Sequence, residues 1–497
     1  LSFSRFFYYK VDFSLAALGM ITHHGSGNPM ALEKPLGHAS IFTKNDIGFF
    51  KDAKGPQGDV LKVPDGRSDD IKSRHKGIIY YTINMTSYIS NRPIIYIARE
   101  IERALGKEPF GSYFIITNAT TYALEMQEKY PDNVWLINSP QILDTLEILM
   151  LPDVQEKITK HNAQLLVFKN TIQIERLCAE KNWTILNPSA ELAEKIENKI
   201  TQVEWLGELS SLLPPHSIQP AKNISWPGKP FVLQWSHGHT GDGTILMQNE
   251  KDLELIKQKF PERECRVTDF IKGPMFTANI VVTNTVILLG NISYQITGIL
   301  PFTDNPFTTI GNDWSVTHTL LSDARIKDFE TIAQKIGVKM QKDGWKGLFG
   351  VDVIYDEERD MLHLIEINAR QPASTTLESQ FQSELLSRGV HGLTTFEAHI
   401  HALTGIPVNS ALIPINDGAQ IVQRLTQAIL LKNEKNNEDL FNIQGLIKAG
   451  YKVISYKNTK PNTDLLRIQS ARGIVETHTK FNARGKEIIG LVSSPQS

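Results

Sequence analysis

Cysteine is nearly absent: Cys178 and Cys265 are the only two in 497 residues. That excludes a disulfide framework and any zinc site built on several thiolates, and it suits a reducing compartment. An excess of charge of one sign is also missing, since 52 Lys and Arg face 54 Asp and Glu for a formal net charge of -2. Such a balance gives no global footprint for nucleic acid or an anionic membrane; only a local basic patch would supply one. No apolar run reaches the ~20 residues that span a bilayer. Residues 13–20, after Phe6-Phe7-Tyr8-Tyr9, come nearest to a signal h-region, but a basic n-region and a small-residue cleavage site do not accompany them. A cytoplasmic protein is expected. Internal repeats and low-complexity segments are missing as well.

At roughly 100–200 residues per domain, the length predicts two to four domains with ordinary cores. Residues 1–75 mix Gly, Pro and charge and predict loops and short strands. Beyond them the spacing predicts strands over 78–83, 112–117, 134–137, 164–168 and 183–186. Helices are predicted over 93–105, 120–129, 172–181 and 190–200, the last capped by Asn187-Pro188-Ser189 with Glu191 following. Alternating strands and helices of about ten residues indicate βαβ units on a parallel sheet. The front of the chain therefore reads as a Rossmann-like unit. It lacks G-x-G-x-x-G after a strand, which argues against a dinucleotide site and against a dehydrogenase.

After Pro214-Pro215 the pattern changes to apolar and β-branched runs separated by turns, at 230–235, 266–271, 277–283 and 285–291. A helix is predicted over 324–336. A second hairpin joins 351–355 to 361–367 across Asp356-Glu357-Glu358-Arg359-Asp360. The tail from about 406 reads as mixed helix and strand.

The second hairpin carries the sharpest chemistry. In Leu362-His363-Leu364-Ile365-Glu366-Ile367-Asn368-Ala369-Arg370, strand alternation puts Glu366 and Asn368 on one face. A turn centred near residue 359 sets Asp352 across from Glu366. Two facing carboxylates destabilise a sheet unless a cation offsets them. Hard oxygen donors in this arrangement suit Mg²⁺, which takes one or two carboxylates and fills the rest of its shell with phosphate oxygens and water. Arg370, two residues on, offers a planar fork for phosphate. The alternative is a solvated hairpin face with incidental acids.

Two weaker signals accompany it. Gln234-Trp235-Ser236-His237-Gly238-His239-Thr240-Gly241-Asp242-Gly243-Thr244 follows an apolar strand, and its glycines can turn backbone N–H groups toward an anion. It is not a Walker A loop, and a plain hairpin loop explains it about as well. His237 and His239 on such a loop are not expected to bind metal. Lys199 closes the helix capped by Ser189; alone, it would be a solvated lysine. Polar and aromatic residues in Ser293-Tyr294-Gln295 and Gly311-Asn312-Asp313-Trp314 are candidates for an acceptor site, against the alternative of surface loops. Lys448, Tyr451, Lys452, Tyr456, Lys457 and Lys460 in the tail are expected on a solvated face rather than on nucleic acid.

In this order the motifs resemble the ATP-grasp superfamily over roughly residues 190–405. The resemblance matches Lys199, in Glu197-Asn198-Lys199, to a phosphate-binding lysine ahead of the small lobe. It matches the glycine loop, with Ser236, Gly238, Gly241, Gly243 and Thr244, to one that closes over phosphates. Val267-Thr268-Asp269-Phe270-Ile271-Lys272-Gly273 matches the segment that reads adenine, implicating Thr268, Asp269 and Ile271. Asp352, Glu366 and Asn368 match the metal ligands. Arg370, with Asn368, matches the residues that act on the transferring phosphoryl group. The implied fold class is α/β and α+β, in three parts. These are a Rossmann-like pre-ATP-grasp domain over 1–190, a two-lobed ATP-grasp domain over 191–405 and a small mixed C-terminal domain over 406–497. The small lobe would take about 200–275 and the large lobe about 276–405.

The resemblance implies an ADP-forming ligase that uses ATP and Mg²⁺ (or Mn²⁺) to activate a carboxylate as an acyl phosphate for an amine or thiol. Expected partners are small-molecule carboxylate and amine substrates and a second copy of the chain as a homodimer, with no nucleic acid and no membrane. The chain departs from the family at Gln234, where a lysine near the α-phosphate is usual, and at Thr268, which replaces an acid. After Arg370 come Gln371-Pro372-Ala373-Ser374-Thr375 instead of the acid and histidine of biotin carboxylases, and no Met-Lys-Met biotin site occurs. A carboxylase and a non-catalytic ATP-binding module are the rival readings.

Overall fold

The computed structural model describes residues 92–236, 243–432 and 441–493, and Ile89–Ser497 forms one compact unit. The loops expected over 1–75 and the strand expected over 78–83 lie outside the described residues.

The first sheet has five strands, β1 (Ile94–Ala98), β2 (Tyr113–Asn118), β3 (Val134–Ile137), β4 (Gln164–Val167) and β5 (Thr184–Ile185). They are all parallel in the order β3-β2-β1-β4-β5. This is the doubly wound order expected of a Rossmann-like unit. The crossovers are α1 (Thr121–Lys129), α2 (Thr145–Met150), α3 (Pro152–Lys160) and α4 (Ile172–Glu180). Each start has a local cause: Thr120 and Thr171 accept from backbone N–H groups three residues on, Asp144 forms a reciprocal capping box with Glu147, and Pro152 opens α3 at its first turn.

The helix expected over 93–105 does not form. β1 occupies its first half and a single 3-10 turn, Ile101–Ala104, its second. All five residues of β1 are buried, with Tyr96 and Ala98 packed on one side of the sheet and Ile95 and Ile97 on the other. A central parallel strand covered on both faces loses the alternation that marks a half-buried strand. Its Ile-Ile-Tyr-Ile run favours extended backbone.

The connection to the next lobe is a pair of short helices, α5 (Ala190–Glu197) and α6 (Thr201–Leu206). Asn198 breaks between them with ψ 121, and its Oδ1 accepts from Ile200 N at 3.0 Å and Thr201 N at 3.4 Å. Lys199 therefore lies in a corner between two helices, not at the end of one.

The small lobe is an antiparallel sheet of β6 (His216–Pro220), β7 (Phe231–Trp235), β8 (Thr244–Met247) and β9 (Glu264–Asp269), in the order β6-β9-β7-β8. Helix α7 (Glu250–Lys259) covers it, with Leu253, Phe231, Leu233, Trp235 and Cys265 in its core.

The largest sheet has nine strands. They are β10 (Met275–Val282), β11 (Ile287–Leu289), β12 (Ser293–Thr297), β13 (Thr309–Asp313), β14 (Gly347–Asp356), β15 (Met361–Asn368), β16 (Ala419–Arg424), β17 (Lys452–Ser455) and β18 (Asp464–Ser470). Their order is β15-β14-β10-β12-β13-β16-β18-β17, with β11 paired beside β10. Strands from the tail thus extend the sheet that carries the second hairpin. Helix α8 (Asp323–Lys342) packs Phe329, Ile332, Ala333, Ile336 and Met340 on one face of it, at helical spacing, beside Phe276, Ile280 and Val351.

The opposite face is polar. Register aligns Glu366 with Asp352, Asp352 with Thr277, and Thr277 with Ser293. Two residues on from Ser293, Gln295 continues the row through Asn312, Gln420 and Gln469. Asn312 donates to Ser293 at 3.1 Å, Gln420 to Asn312 at 3.1 Å and Arg467 to Gln420 at 2.9 Å. Ser293, Gln295 and Asn312 are therefore buried strand residues and not parts of surface loops. Tyr451 and Tyr456, expected on a solvated face, are buried too. Both phenols bond to glutamates, Glu487 and Glu102. Among the described residues no helix is long and apolar enough to cross a membrane.

Candidate active site

Strand β14 faces β15 with Asp352 opposite Glu366, and a bulge after Asp352 shifts the register so that Val353 meets Leu364. The like charges are close enough to perturb each other. Burial, with Asp352 only 7% exposed, and the Glu366 charge push the Asp352 carboxyl up to about 6. Glu366 goes the other way. Burial alone would raise it, but Lys199 and Arg370 together hold it below the usual carboxylate range.

Lys199 reaches Glu366 Oε1 at 2.7 Å. The corner between α5 and α6 aims it there, and Lys199 N donates to Ser236 O at 3.1 Å, which ties that corner to the end of β7. Burial lowers the Lys199 pKa, and Glu366 opposes that shift. Arg370, just beyond β15, pairs with Glu197, the last residue of α5. Glu197 also holds Lys169 at 2.5 Å, and although burial would raise its pKa, the two cations depress it. One three-residue segment thus sends an acid to Arg370 and a base to Glu366.

Gln234 on β7 lies opposite Arg266 on β9. Its Oε1 accepts from Arg266 Nε at 2.9 Å, and its Nε2 approaches Thr244 Oγ1 at 3.5 Å. Gly243 O accepts from Trp235 N at 2.9 Å. Thr268 is buried in β9 between β6 and β7. The Asp269 carboxylate is engaged by Lys229 at 3.2 Å, and Ile271 is buried just past the strand. Gly238, Gly241, His237 and His239 lie outside the described residues. The structure therefore gathers Lys199, Gln234, Asp352, Glu366, Asn368 and Arg370 where the two sheets meet, while the Asp269 side chain is committed elsewhere.

Three contributors were not singled out in the sequence: Glu197, Lys169 and Arg266. The Arg370–Glu197 pair spans 173 positions, which no local pattern reveals. Arg266 left only a faint trace, as a basic residue flanked by Cys265 and Val267 within Glu264-Cys265-Arg266-Val267-Thr268-Asp269.

The donor set fits a hard divalent cation. Asp352 Oδ2 accepts from Asn368 Nδ2 at 3.0 Å, but Oδ1 is buried and has no hydrogen-bond partner among the described residues. An orphaned carboxylate oxygen is costly unless something cationic meets it. No group of three or more His, Cys, Asp or Glu suited to a metal exists among the described residues. Two carboxylates and an amide leave most of an octahedral shell to phosphate oxygens and water, as Mg²⁺ prefers.

Residues 196–374 match the ATP-grasp domain family. No curated protein matches the chain by sequence. Among solved structures, the N5-carboxyaminoimidazole synthetase of Staphylococcus aureus superposes with a TM-score of 0.52 at 14% identity, covering 81% of this chain and 98% of its own. The N5-carboxyaminoimidazole synthase of Aspergillus clavatus, solved with ADP and 5-aminoimidazole ribonucleotide, gives 0.53 at 15% identity over 77% and 94%. Biotin carboxylase of Campylobacter jejuni, solved as a β-γ-ATP complex, gives 0.52 at 14% identity over 76% and 87%. At these identities the likeness is one of fold. The matched stretch, 196–374, follows the parallel sheet at the front and spans the small lobe and the second hairpin.

Proposed function

We propose that the protein is an ATP- and Mg²⁺-dependent ligase that activates a carboxylate as an acyl phosphate for attack by an amine (or thiol). One observation carries this reading: Asp352, Glu366 and Asn368 converge on one sheet face beside Lys199 and Arg370, with an unpartnered Asp352 oxygen at the centre. Asp352, Glu366 and Asn368 would hold Mg²⁺, which when bound neutralises charge on bridging phosphate oxygens. Arg370, held in place by Glu197, would present a planar fork to the transferring phosphoryl group. Lys199, 2.7 Å from Glu366 and beside the acids, would carry its charge to the nucleotide phosphates. Such fixed charges in a dry cleft supply most of the barrier reduction in phosphoryl transfer.

The stretch after Arg370 argues against the biotin-carboxylase-like alternative. Gln371 spends its amide on Tyr96 and on Arg103 O, at 2.8 and 2.7 Å, and Ser374 and Thr375 bond to Asn279. These side chains brace the loop, and none of residues 371–375 is an acid or a histidine. The polar row from Thr277 to Gln469 is the natural floor for the acceptor.

The test is ADP release from ATP and Mg²⁺ across a matrix of carboxylates and amines. The expected outcome is release that needs one member of each class and that Glu366→Gln abolishes without unfolding the protein. A nucleotide-dependent rise in melting temperature with no ADP release from any pair would refute the ligase and leave a binding module.

A further inference from the structure

Among the described residues, Arg266 is a buried charge with no charged hydrogen-bond partner. It is 2% exposed, in the middle of the small-lobe sheet, yet every hydrogen-bond partner it has is neutral. Nε donates to Gln234 Oε1 at 2.9 Å, Nη1 to Gln202 Oε1 at 3.1 Å and Nη2 to Ile365 O at 3.4 Å. Gln202 is itself fully buried and anchored by its own bond to Ile196 O at 2.7 Å, so the guanidinium sits in a built cradle. Its last contact crosses from β9 to β15, one residue from Glu366. Glu366 feels the Arg266 charge but spends its short ion pair on Lys199.

Burying a guanidinium among amides costs several kcal/mol unless an anion compensates it. Three hydrogen bonds engage only part of its donor set, leaving N–H groups for a ligand. Around the cleft, Lys169, Lys199, Arg266 and Arg370 outnumber Glu197, Asp352 and Glu366, four cations to three acids. A divalent cation on the acids would widen that excess. The surplus calls for a polyanion, and the cradle fixes where part of its charge must go.

We propose that Arg266 is a nucleotide-phosphate ligand, with Gln234 and Gln202 as the positioning residues that hold its guanidinium toward the cleft. The inference rests on the ATP reading above. It explains why position 234 carries an amide where the resemblance leads one to expect a lysine. The positive charge has moved to the facing strand, and the residue opposite has become its holder. A lysine at 234 beside Arg266 would instead place two buried cations side by side.

Calorimetric binding of ATP, ADP and adenosine to the full-length protein with Mg²⁺ tests this. Arg266→Gln is expected to weaken ATP and ADP by about tenfold or more, as loss of a charge-assisted bond requires, while adenosine changes little. Gln234→Lys in the Arg266→Gln background is expected to recover part of the loss, because the cation returns from the facing strand. Should Arg266→Gln fail to fold, Arg266→Lys keeps the charge. It is expected to retain the preference of ATP over adenosine at reduced affinity. Equal weakening of adenosine and ATP, or ATP binding within twofold of wild type, would overturn the proposal and leave Arg266 as a pin between the lobes. If the wild-type protein binds no ATP, the ligase reading falls along with it.

Discussion

At the scale of the residue, the site holds its own destabilising element. Asp352 faces Glu366 across the hairpin in a buried setting, and folding raises its carboxyl from 3.8 to about 6. A raised carboxyl binds its proton more tightly in the folded chain. Its contribution is therefore favourable at low pH, fully so below about 4, and becomes a cost as pH climbs through about 6. Asp352→Asn removes that cost while keeping the shape. The expected outcome is a more stable metal-free protein at pH 7.5, by on the order of 2 kcal/mol, with ATP turnover lost. Denaturant melts at pH 7.5 and pH 5 check this, and the gain should shrink at the lower pH. A variant no more stable than wild type at pH 7.5 would mean the two acids are not strained in the metal-free state.

At the scale of the element, the corner between α5 and α6 is the next to test, because Glu197 and Lys199 both reach from it to the end of β15, one to Arg370 and the other to Glu366. Asn198 makes the corner by leaving the helix and capping the next one. Asn198→Ala is expected to cost about 1 kcal/mol in stability, the usual value of a lost cap. It should also weaken ATP binding several-fold through misplacement of Lys199, read by thermal melting and by calorimetry. Unchanged ATP affinity would show that Lys199 is placed by Ser236 alone. The second hairpin was legible beforehand, register included, because its acids, turn and alternation all lie within twenty residues of one another. The corner was only half legible: Lys199 stood out by its order along the chain, but its partner Glu366 and the pairing of Glu197 with Arg370 depend on closure of the fold. β1 was misread for a different reason, since a strand buried on both faces carries no period to read.

At the scale of the whole molecule, the nine-stranded sheet binds the tail to the front. Tyr456 OH donates to Glu102 at 2.6 Å and accepts from Arg467 Nε at 2.8 Å, and Arg467 reaches Asp464, which also pairs with Arg424. Tyr456→Phe leaves the buried Glu102 carboxylate without that donor. A loss of about 1–3 kcal/mol is expected, measured as a lower denaturation midpoint with an unchanged slope. A midpoint equal to wild type would mean that water or Arg467 replaces the phenol at no cost. The strand order has one more consequence, in time rather than in space. β18 enters between β16 and β17, so the sheet that holds Asp352 and Glu366 is completed only after residue 470 has been made. The parallel sheet at the front can form while the ribosome is still working, since its strands end at Ile185. A nascent chain would then carry Lys199, Glu366 and Arg370 for about a hundred residues of synthesis before the sheet beneath them is whole. Translation therefore finishes last the edge of the sheet farthest from Asp352 and Glu366, whose own strands and neighbours, β10, β12, β14 and β15, are all made by residue 368.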